Sequence, residues 1–161
     1  MIPETLVLAW GNPSRGDDAL GPRFIELLQP LLAQHPEWGA VECLTDFQLQ
    51  VEHALDLRGR RRVLFVDASR DAGTPFSVAK IAATRDASFT SHAMSPQAVL
   101  QVWHQVEGED SEPPPSWLLA IRGESFELGE AMSDAAHANL AAALAWAAIW
   151  LGRCPENRTN A

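Results

Sequence analysis

Two neighbouring carboxylates occupy a glycine-rich loop near the start of the chain. Asp17 and Asp18 close the segment Gly11-Asn12-Pro13-Ser14-Arg15-Gly16-Asp17-Asp18, which follows an apolar run at 6–10 and precedes an amphipathic one at 24–28. This order predicts a buried strand, a tight turn and a helix, so the turn delivers both carboxylates to the carboxyl end of a strand. Ligands bind at that edge of open α/β sheets, and carboxylates there can hold a metal ion or transfer protons.

Three interpretations of this loop are open. It could bind phosphate, as glycine-rich turns before helices do, but it matches neither the dinucleotide nor the Walker pattern, and adjacent acids repel a phosphate. One of the two aspartates could cap the helix that follows. The other could be a metal ligand or an acid–base group. Because neighbouring side chains diverge, its partner must then come from another part of the chain.

Asp67 and His92 are the candidate partners. The run Val63-Leu64-Phe65-Val66 is apolar on both faces, which predicts a central parallel strand with Asp67 at its carboxyl end. Among the histidines, His92 falls in a loop between a predicted strand and a helix that Ser95 can cap, with Pro96 at its first position. Two carboxylates and one imidazole form a donor set suited to a divalent transition metal, with positions left open for substrate or water.

The elements that must bring these residues together indicate an α/β fold with three layers, α/β/α. We expect a mostly parallel five-stranded sheet with helices on both faces. The first and third strands should be neighbours, with the second strand outside the first. Too few residues separate the third strand from the strand at about 77–82 for a parallel crossover, so that strand should run antiparallel near an edge. Helices are predicted at about 19–34, where Pro30 suggests a kink or an early stop, and at 47–57, 96–106 and 133–151.

Length and composition fit one domain, predicted over 1–155, with a frayed tail at 156–161. The chain has 161 residues, of which 47% are hydrophobic and 20% charged. Its net charge of -9 disfavours nucleic acid and anionic membranes as partners. The start shows no signal-peptide pattern, and the apolar run at 140–151 suits a buried core helix better than a membrane span. We therefore expect a cytoplasmic protein without membrane insertion.

Two further features bear on function. The basic cluster Arg58-Gly59-Arg60-Arg61-Arg62 could hold an acidic partner, although a solvated helix C-terminus that complements the helix dipole is the interpretation we favour. Cys43 and Cys154 have no metal-type spacing and exclude a disulfide scaffold. The sequence has no Gly-x-Ser-x-Gly elbow, and neither cysteine neighbours a loop histidine, so a serine or cysteine nucleophile is not indicated.

At these residues the chain resembles the hydrogenase maturation endopeptidases. The matching features are Gly11-Asn12 to Asp17-Asp18 with Gly21, Phe65-Val66-Asp67-Ala68, Ser91-His92 and the late segment Ile121 to Glu127. The resemblance spans about residues 5 to 150, with well-separated motifs in the right order. The loop and the segment Ser91 to Pro96 look most like the branch that serves bidirectional, NAD-linked nickel-iron hydrogenases.

The resemblance implies a specific activity. Such proteases remove a short C-terminal peptide from the hydrogenase large-subunit precursor after nickel is inserted. The family's metal-binding positions point here to Asp18, Asp67 and His92, with Asp17 as a further candidate for acid–base work. The nickel would be carried by the substrate, and cadmium or zinc could occupy the same site. The resemblance implies a protease that checks its substrate's metal, and we expect it to be a monomer.

The chain departs from the family pattern in two places. Many relatives have a glutamate where this chain has Asp18, so the ligand arm is one methylene shorter here. Many also carry a Gly-Gly-Thr-type turn after the second strand, whereas this chain has Thr45-Asp46-Phe47-Gln48, in which Asp46 can be a cap. Two other functions fit parts of the pattern: a nickel carrier or assembly chaperone without hydrolysis, and a flavodoxin-like protein that binds phosphate or nucleotide.

Overall fold

Strands and helices alternate along the residues that the computed structural model describes, which are 1–84 and 94–155. The predicted tail at 156–161 lies outside them. The elements in chain order are β1 (Thr5–Trp10), α1 (Leu20–Gln34), β2 (Val41–Asp46), α2 (His53–Asp56), β3 (Arg62–Ser69), β4 (Phe76–Ile81), α3 (Pro96–Glu107), β5 (Ser116–Arg122) and α4 (Asp134–Gly152), with short 3-10 turns at Gly16–Ala19 and Pro36–Trp38.

The strands form one mixed sheet in the order β2-β1-β3-β5-β4. The pairs formed by β1, β2, β3 and β5 are parallel, and β4 lies antiparallel to β5 at the edge. Ala9 of β1 pairs with Val66 of β3, so Asp67 lies one residue further along, at the edge where the parallel strands end. We call this the carboxyl edge. The predicted fold class, the strand neighbours and the antiparallel edge strand are confirmed.

Helices cover both faces of the sheet. On one face, α1 and α4 pack on the inward side chains of the central strands, including Val7, Leu64 and Ile121. On the other face, α3 and the segment around α2 cover Leu8 and Phe65. Because the central strands are apolar on both faces, each face needs its own helical layer to exclude water.

The helix α4 closes the first of these faces. By length and composition alone it could cross a membrane. In this fold Leu140, Ala143, Ala147 and Leu151 are buried, and the helix packs on α1 and β5. Ser133 caps its start by accepting a hydrogen bond from the N–H of Ala136, as the sequence predicts. The helix is therefore a core element of this fold.

Two predicted elements have different bounds in the structure. The third strand runs to Ser69, so Asp67 lies within the strand and pairs with Ala120. The helix predicted at about 19–34 spans Leu20–Gln34, and the alternative of an early stop at Pro30 is wrong. The helix predicted over 47–57 is wrong in extent, because only His53–Asp56 is α-helical. Side-chain acceptors take the N–H groups of Phe47 and Gln50, which competes with helix formation there.

The solvated interpretation of the basic cluster is wrong for two of its arginines. Arg60 is 7% exposed and Arg62 is 3% exposed. Arg60 donates hydrogen bonds to the carbonyls of Asp56 and Pro3 and pairs with Glu42. The guanidinium of Arg62 donates to the hydroxyl of Thr5 and to the last carbonyls of α4, those of Trp150, Leu151 and Arg153. Arg62 thus joins the start of the sheet to the end of α4.

We expect Arg62→Met to destabilise the fold by about 2–4 kcal/mol, because the helix carbonyls lose a charged donor that no other side chain replaces. Thermal and urea unfolding measure the loss. The matched control is Arg61→Met, which changes a side chain that is 41% exposed and pairs with Glu4 at 3.5 Å. An exposed pair of this kind contributes about 0.5 kcal/mol. Equal losses in the two variants would contradict the role given to Arg62.

Candidate functional site

The loop between β1 and α1 is held in a shape that only glycine permits at two positions. Gly11 has φ 151° and Gly16 has φ 53°, values that residues with a side chain rarely adopt. A Cβ on Gly11 would lie 2.0 Å from the carbonyl oxygen of Asp18, and one on Gly16 would lie 2.4 Å from that of Ser125. The loop therefore folds back on its own end and packs against the segment after β5.

Asp17 is fully buried and holds three segments together. Its carboxylate accepts hydrogen bonds from the backbone N–H groups of Glu124 (2.7 Å), Ser125 (3.1 Å) and Ser133 (2.7 Å), and from the hydroxyl of Ser133 (2.8 Å). Burial alone would raise the pKa of Asp17, but these donors outweigh it and hold the pKa below its usual value. Asp17 does not cap the turn in which it lies. It supports Ser133, the cap of α4.

Asp18 points away from this junction. Its Oδ2 accepts a hydrogen bond from the backbone N–H of Asn12 at 2.7 Å, and its side chain is partly buried. The bond fixes the carboxylate on the inner side of the loop, at the carboxyl edge. Neighbouring side chains diverge in a helical turn, so the two aspartates serve different parts of the molecule.

Asp67 lies beside Asp18. Burial is the main cause that raises the pKa of Asp67 to about 7; the negative charge of Asp18 contributes in the same direction, and a hydrogen bond from the N–H of Ala68 opposes both. The turn Gly16–Ala19, which carries Asp18, contacts β3, which carries Asp67. The structure therefore brings together two of the four predicted site residues, Asp18 and Asp67, at the carboxyl edge of the central strands.

His92 lies outside the described residues. The described chain resumes at Met94, which packs against the core cluster that contains Trp10 and Phe65. Ser95 then caps α3, as predicted, by accepting a hydrogen bond from the N–H of Ala98. Within 1–84 and 94–155, no three His, Cys, Asp or Glu side chains are grouped as a metal ion would require. A metal ion held by Asp18 and Asp67 would need a further ligand from another part of the chain.

The direction of α3 shows where the chain around Met94 lies. The segment after α3 enters β5 at Ser116, the end of the sheet opposite to the carboxyl edge, so α3 begins toward the carboxyl edge. Its 12 residues span about 18 Å, the length of the strands beside it. Asp67 alternates with Val66, whose side chain faces α1 and α4, and so it faces the layer that contains α3. The start of α3 and Asp67 thus share one face and one edge.

A cleft of about 300 Å³ opens beside the loop that carries Asp18. It is lined by residues from the exits of β1 and β2 and the start of α1: Gly11, Pro13, Pro22, Thr45, Asp46 and Phe47. From the sequence, the turn after β2 was assigned only a possible capping residue, Asp46. Asp46 does accept the N–H of Phe47 at 2.7 Å, but the same turn also forms one wall of the cleft. The predicted strand order could have indicated this wall, because it places the turn after β2 next to the loop that follows β1.

Two other groups near the sheet differ in what they can do chemically. Burial, with a smaller effect from the charge of Glu42, raises the pKa of the Cys43 thiol to about 11, so Cys43 is not a thiolate nucleophile at neutral pH. Arg122 ends β5 opposite Ser69. Its Nη1 donates to the carbonyl of Ala72, whereas its buried Nε has no hydrogen-bond partner among the described residues.

The pKa of Asp67 is about 7 in the folded protein and ordinarily 3.8. Between pH 3.8 and about 7, the folded protein therefore keeps a proton on Asp67 that the unfolded chain has lost. Stability from the neutral carboxyl is therefore lost as the pH rises through this window. We expect Asp67→Asn to stabilise the metal-free protein by about 1–3 kcal/mol more at pH 8 than at pH 5.

Thermal unfolding in EDTA at the two pH values measures this difference. Asp71→Asn, at an exposed position shortly after β3, is the matched control and should change stability equally at both. A gain from Asp67→Asn that is independent of pH would show that Asp67 and Asp18 do not share a desolvated site.

Solved structures share this fold. The maturation protease HycI of a nickel-iron hydrogenase from Thermococcus kodakarensis KOD1 matches with a TM-score of 0.66 and 21% identity, covering 94% of each chain. The hydrogenase maturating endopeptidase HybD from E. coli matches with a TM-score of 0.66 and 21% identity, over 92% of this chain and 91% of that one. Hydrogenase 2 maturation peptidase from Thaumarchaeota archaeon SCGC_AB-539-E09 matches with a TM-score of 0.63 and 22% identity, over 92% and 98%.

At such identities the likeness shows a common fold. No protein-family model and no curated protein sequence matches the chain.

Proposed function

We propose that this protein is an endopeptidase that removes a C-terminal peptide from the large-subunit precursor of a nickel-iron hydrogenase. One observation carries the proposal: Asp18 and Asp67 lie together at the carboxyl edge, beside an open cleft. The fold supports it, because structures named as hydrogenase maturation proteases share it across almost the whole chain. The motifs around Asp18, Asp67 and His92 supply the same family likeness independently of the fold.

The two carboxylates fit a divalent cation. The pKa of Asp67 is raised by burial and by the charge of Asp18, so a metal ion bound between them would relieve both effects. We propose His92 as the third ligand, which gives an oxygen and nitrogen set suited to nickel, cadmium or zinc. The nickel is proposed to arrive with the substrate, so that Asp18, Asp67 and His92 recognise a precursor whose metal centre is loaded.

The residues of the chain would act as follows. The N–H of Asn12 fixes Asp18 in one orientation, so Asp18 can approach the substrate's metal without rearrangement. Before a metal is bound, Asp67, with a pKa of about 7, can take a proton from water or return one to the leaving amine near neutral pH; as a ligand of the substrate's metal it would be a carboxylate. A bound metal would supply polarisation of the scissile carbonyl or a more acidic water. The proposal leaves out Asp17, whose carboxylate is occupied by its four donors.

Incubation of the purified protein with nickel-loaded and nickel-free precursor tests the proposal. Mass analysis of the precursor should show loss of a C-terminal peptide from the loaded form only. Equal cleavage of both forms would contradict the recognition of nickel but would support the protease activity. A precursor that keeps its peptide but acquires nickel would instead identify a carrier.

We also propose that the substrate belongs to a bidirectional, NAD-linked hydrogenase. The loop Gly11 to Asp18 and the segment Ser91 to Pro96 support this, because their sequences look most like that branch. We also propose that the protein acts as a cytoplasmic monomer. The phosphate-binding alternative is disfavoured because the carboxylates of Asp18 and Asp67 at the carboxyl edge would repel an anion.

A further inference from the structure

Three apolar side chains are exposed in the segment after β2. Phe47 is 67% exposed, Val51 is 45% exposed and Leu55 is 49% exposed. Val51 and Leu55 are four residues apart in hydrogen-bonded turns around α2, which puts these two on one side of the segment, and Phe47 precedes them in the turn after β2. We call these three residues the apolar strip. Since other side chains of the segment, Leu49, Ala54 and Leu57, fill the core below, the strip is a second apolar face that points to solvent.

The apolar strip is held in place by a polar network beneath it. Asp46 accepts the N–H of Phe47 at 2.7 Å, and Nδ1 of His53 accepts the N–H of Gln50 at 2.8 Å. With Nδ1 as acceptor, a neutral His53 carries its proton on Nε2, which faces Oδ2 of Asp46 at 3.5 Å. His53 itself is 8% exposed. The segment therefore displays its apolar groups in a fixed arrangement, which lowers the entropy cost of binding a partner.

The strip is continuous with the cleft of the proposed site. Phe47 belongs to both, since it lines the cleft together with Pro13 and Asp46. From Phe47 the strip continues through Val51 to Leu55. A partner whose terminal segment enters the cleft would therefore also meet the strip with the surface next to that segment.

The geometry points to the apolar strip as the docking surface for the folded body of the hydrogenase precursor whose C-terminal peptide enters the cleft. This inference rests on the proposed function and names the part of the protein that recognises the partner. Acidic side chains at Asp46, Glu52 and Asp56 flank the strip, and the whole chain has a net charge of -9. The matching surface is therefore an apolar patch bordered by lysine or arginine.

The test compares the double variant Val51→Gln, Leu55→Gln with Ile149→Gln. Ile149 is 61% exposed on α4, on the opposite face of the sheet, so its substitution removes similar apolar area at a distance from the cleft. Phe47 stays unchanged because it lines the cleft. Each protein is mixed with the full-length, nickel-loaded precursor, and cleavage is followed over a range of precursor concentrations. Sedimentation of the protease alone gives its oligomeric state.

We expect the double variant to raise KM about tenfold or more with kcat unchanged, and Ile149→Gln to leave both constants unaltered. Unaltered KM in the double variant, or an equal rise in KM in both variants, would contradict the docking surface. Cleavage by the unmodified protein would still support the proposed function. No cleavage by the unmodified protein would overturn the function and the surface together. A dimer that the double variant converts to monomers would assign the strip to a second copy of this chain instead.

Discussion

Asp67→Ala is expected to lower kcat/KM for precursor cleavage at least about a hundredfold, the usual contribution of a positioned acid–base group. Asp67 lies at the carboxyl edge beside Asp18, and its pKa of about 7 suits proton transfer near neutral pH. Asp18→Ala should have a similar effect, since the proposed site then keeps one carboxylate. Cleavage is measured by mass analysis of the precursor, and binding of nickel or cadmium by titration calorimetry.

Asp71→Ala is the matched control for these variants, because Asp71 is an exposed aspartate four residues after Asp67. It should cleave and bind metal as the unmodified protein does. Full activity together with full metal binding in Asp67→Ala would contradict both the acid–base role and the metal role of Asp67. Loss of metal binding with cleavage retained would separate the two, and would leave Asp67 as a recognition group only.

Asp17→Ala is expected to destabilise the fold by about 4 kcal/mol, because it removes a buried carboxylate and leaves three partly buried N–H groups and a hydroxyl without their acceptor. For a chain of this size that is a fall in Tm of roughly 10 °C. Thermal unfolding measures it. Because the pKa of Asp17 lies below its ordinary 3.8, its contribution is present above that pH and is lost as the pH falls further.

Asp134→Ala provides the comparison for Asp17→Ala. Asp134 is an exposed aspartate in the first turn of α4, close in sequence to the Ser133 that Asp17 holds. Its interaction with the helix dipole contributes about 1 kcal/mol or less. A stable Asp17→Ala protein that no longer cleaves the precursor would show that Asp17 takes part in the reaction, against the role that its hydrogen bonds indicate.

The sheet and the closeness of Asp18 to Asp67 could be predicted because both follow from local pattern and connection length. Val63 to Val66 is apolar on both faces, and this identified the central strand that carries Asp67. The short connection before the fourth strand excluded a parallel crossover, and this gave the antiparallel edge. Because neighbouring parallel strands end at the same edge of a sheet, the sequence also predicted that Asp18 and Asp67 lie near each other.

The roles of Asp17 and Arg62 could not be predicted in the same way. The donors to Asp17 come from Glu124, Ser125 and Ser133, more than a hundred residues further along the chain. The acceptors of Arg62 at the end of α4 are 88 and 89 residues away. The spacing of residues along the sequence does not indicate such partners. Arg62, one of four arginines in a cluster, was therefore predicted to be solvated, and the sequence did not distinguish Asp17 from Asp18 as a candidate for chemistry.

The contacts around Asp17 decide where foreign sequence can be added to this protein. The loop that carries Asp18 hydrogen-bonds to Glu130 and Gly129 as well as to Ser125, so a tag or reporter inserted at 125–131 would shift the carboxylate of Asp18. The exposed acidic turn at 108–112 joins α3 to β5 at the opposite end of the sheet. Fusion partners or fluorescent labels introduced there would leave the geometry of Asp18 and Asp67 intact.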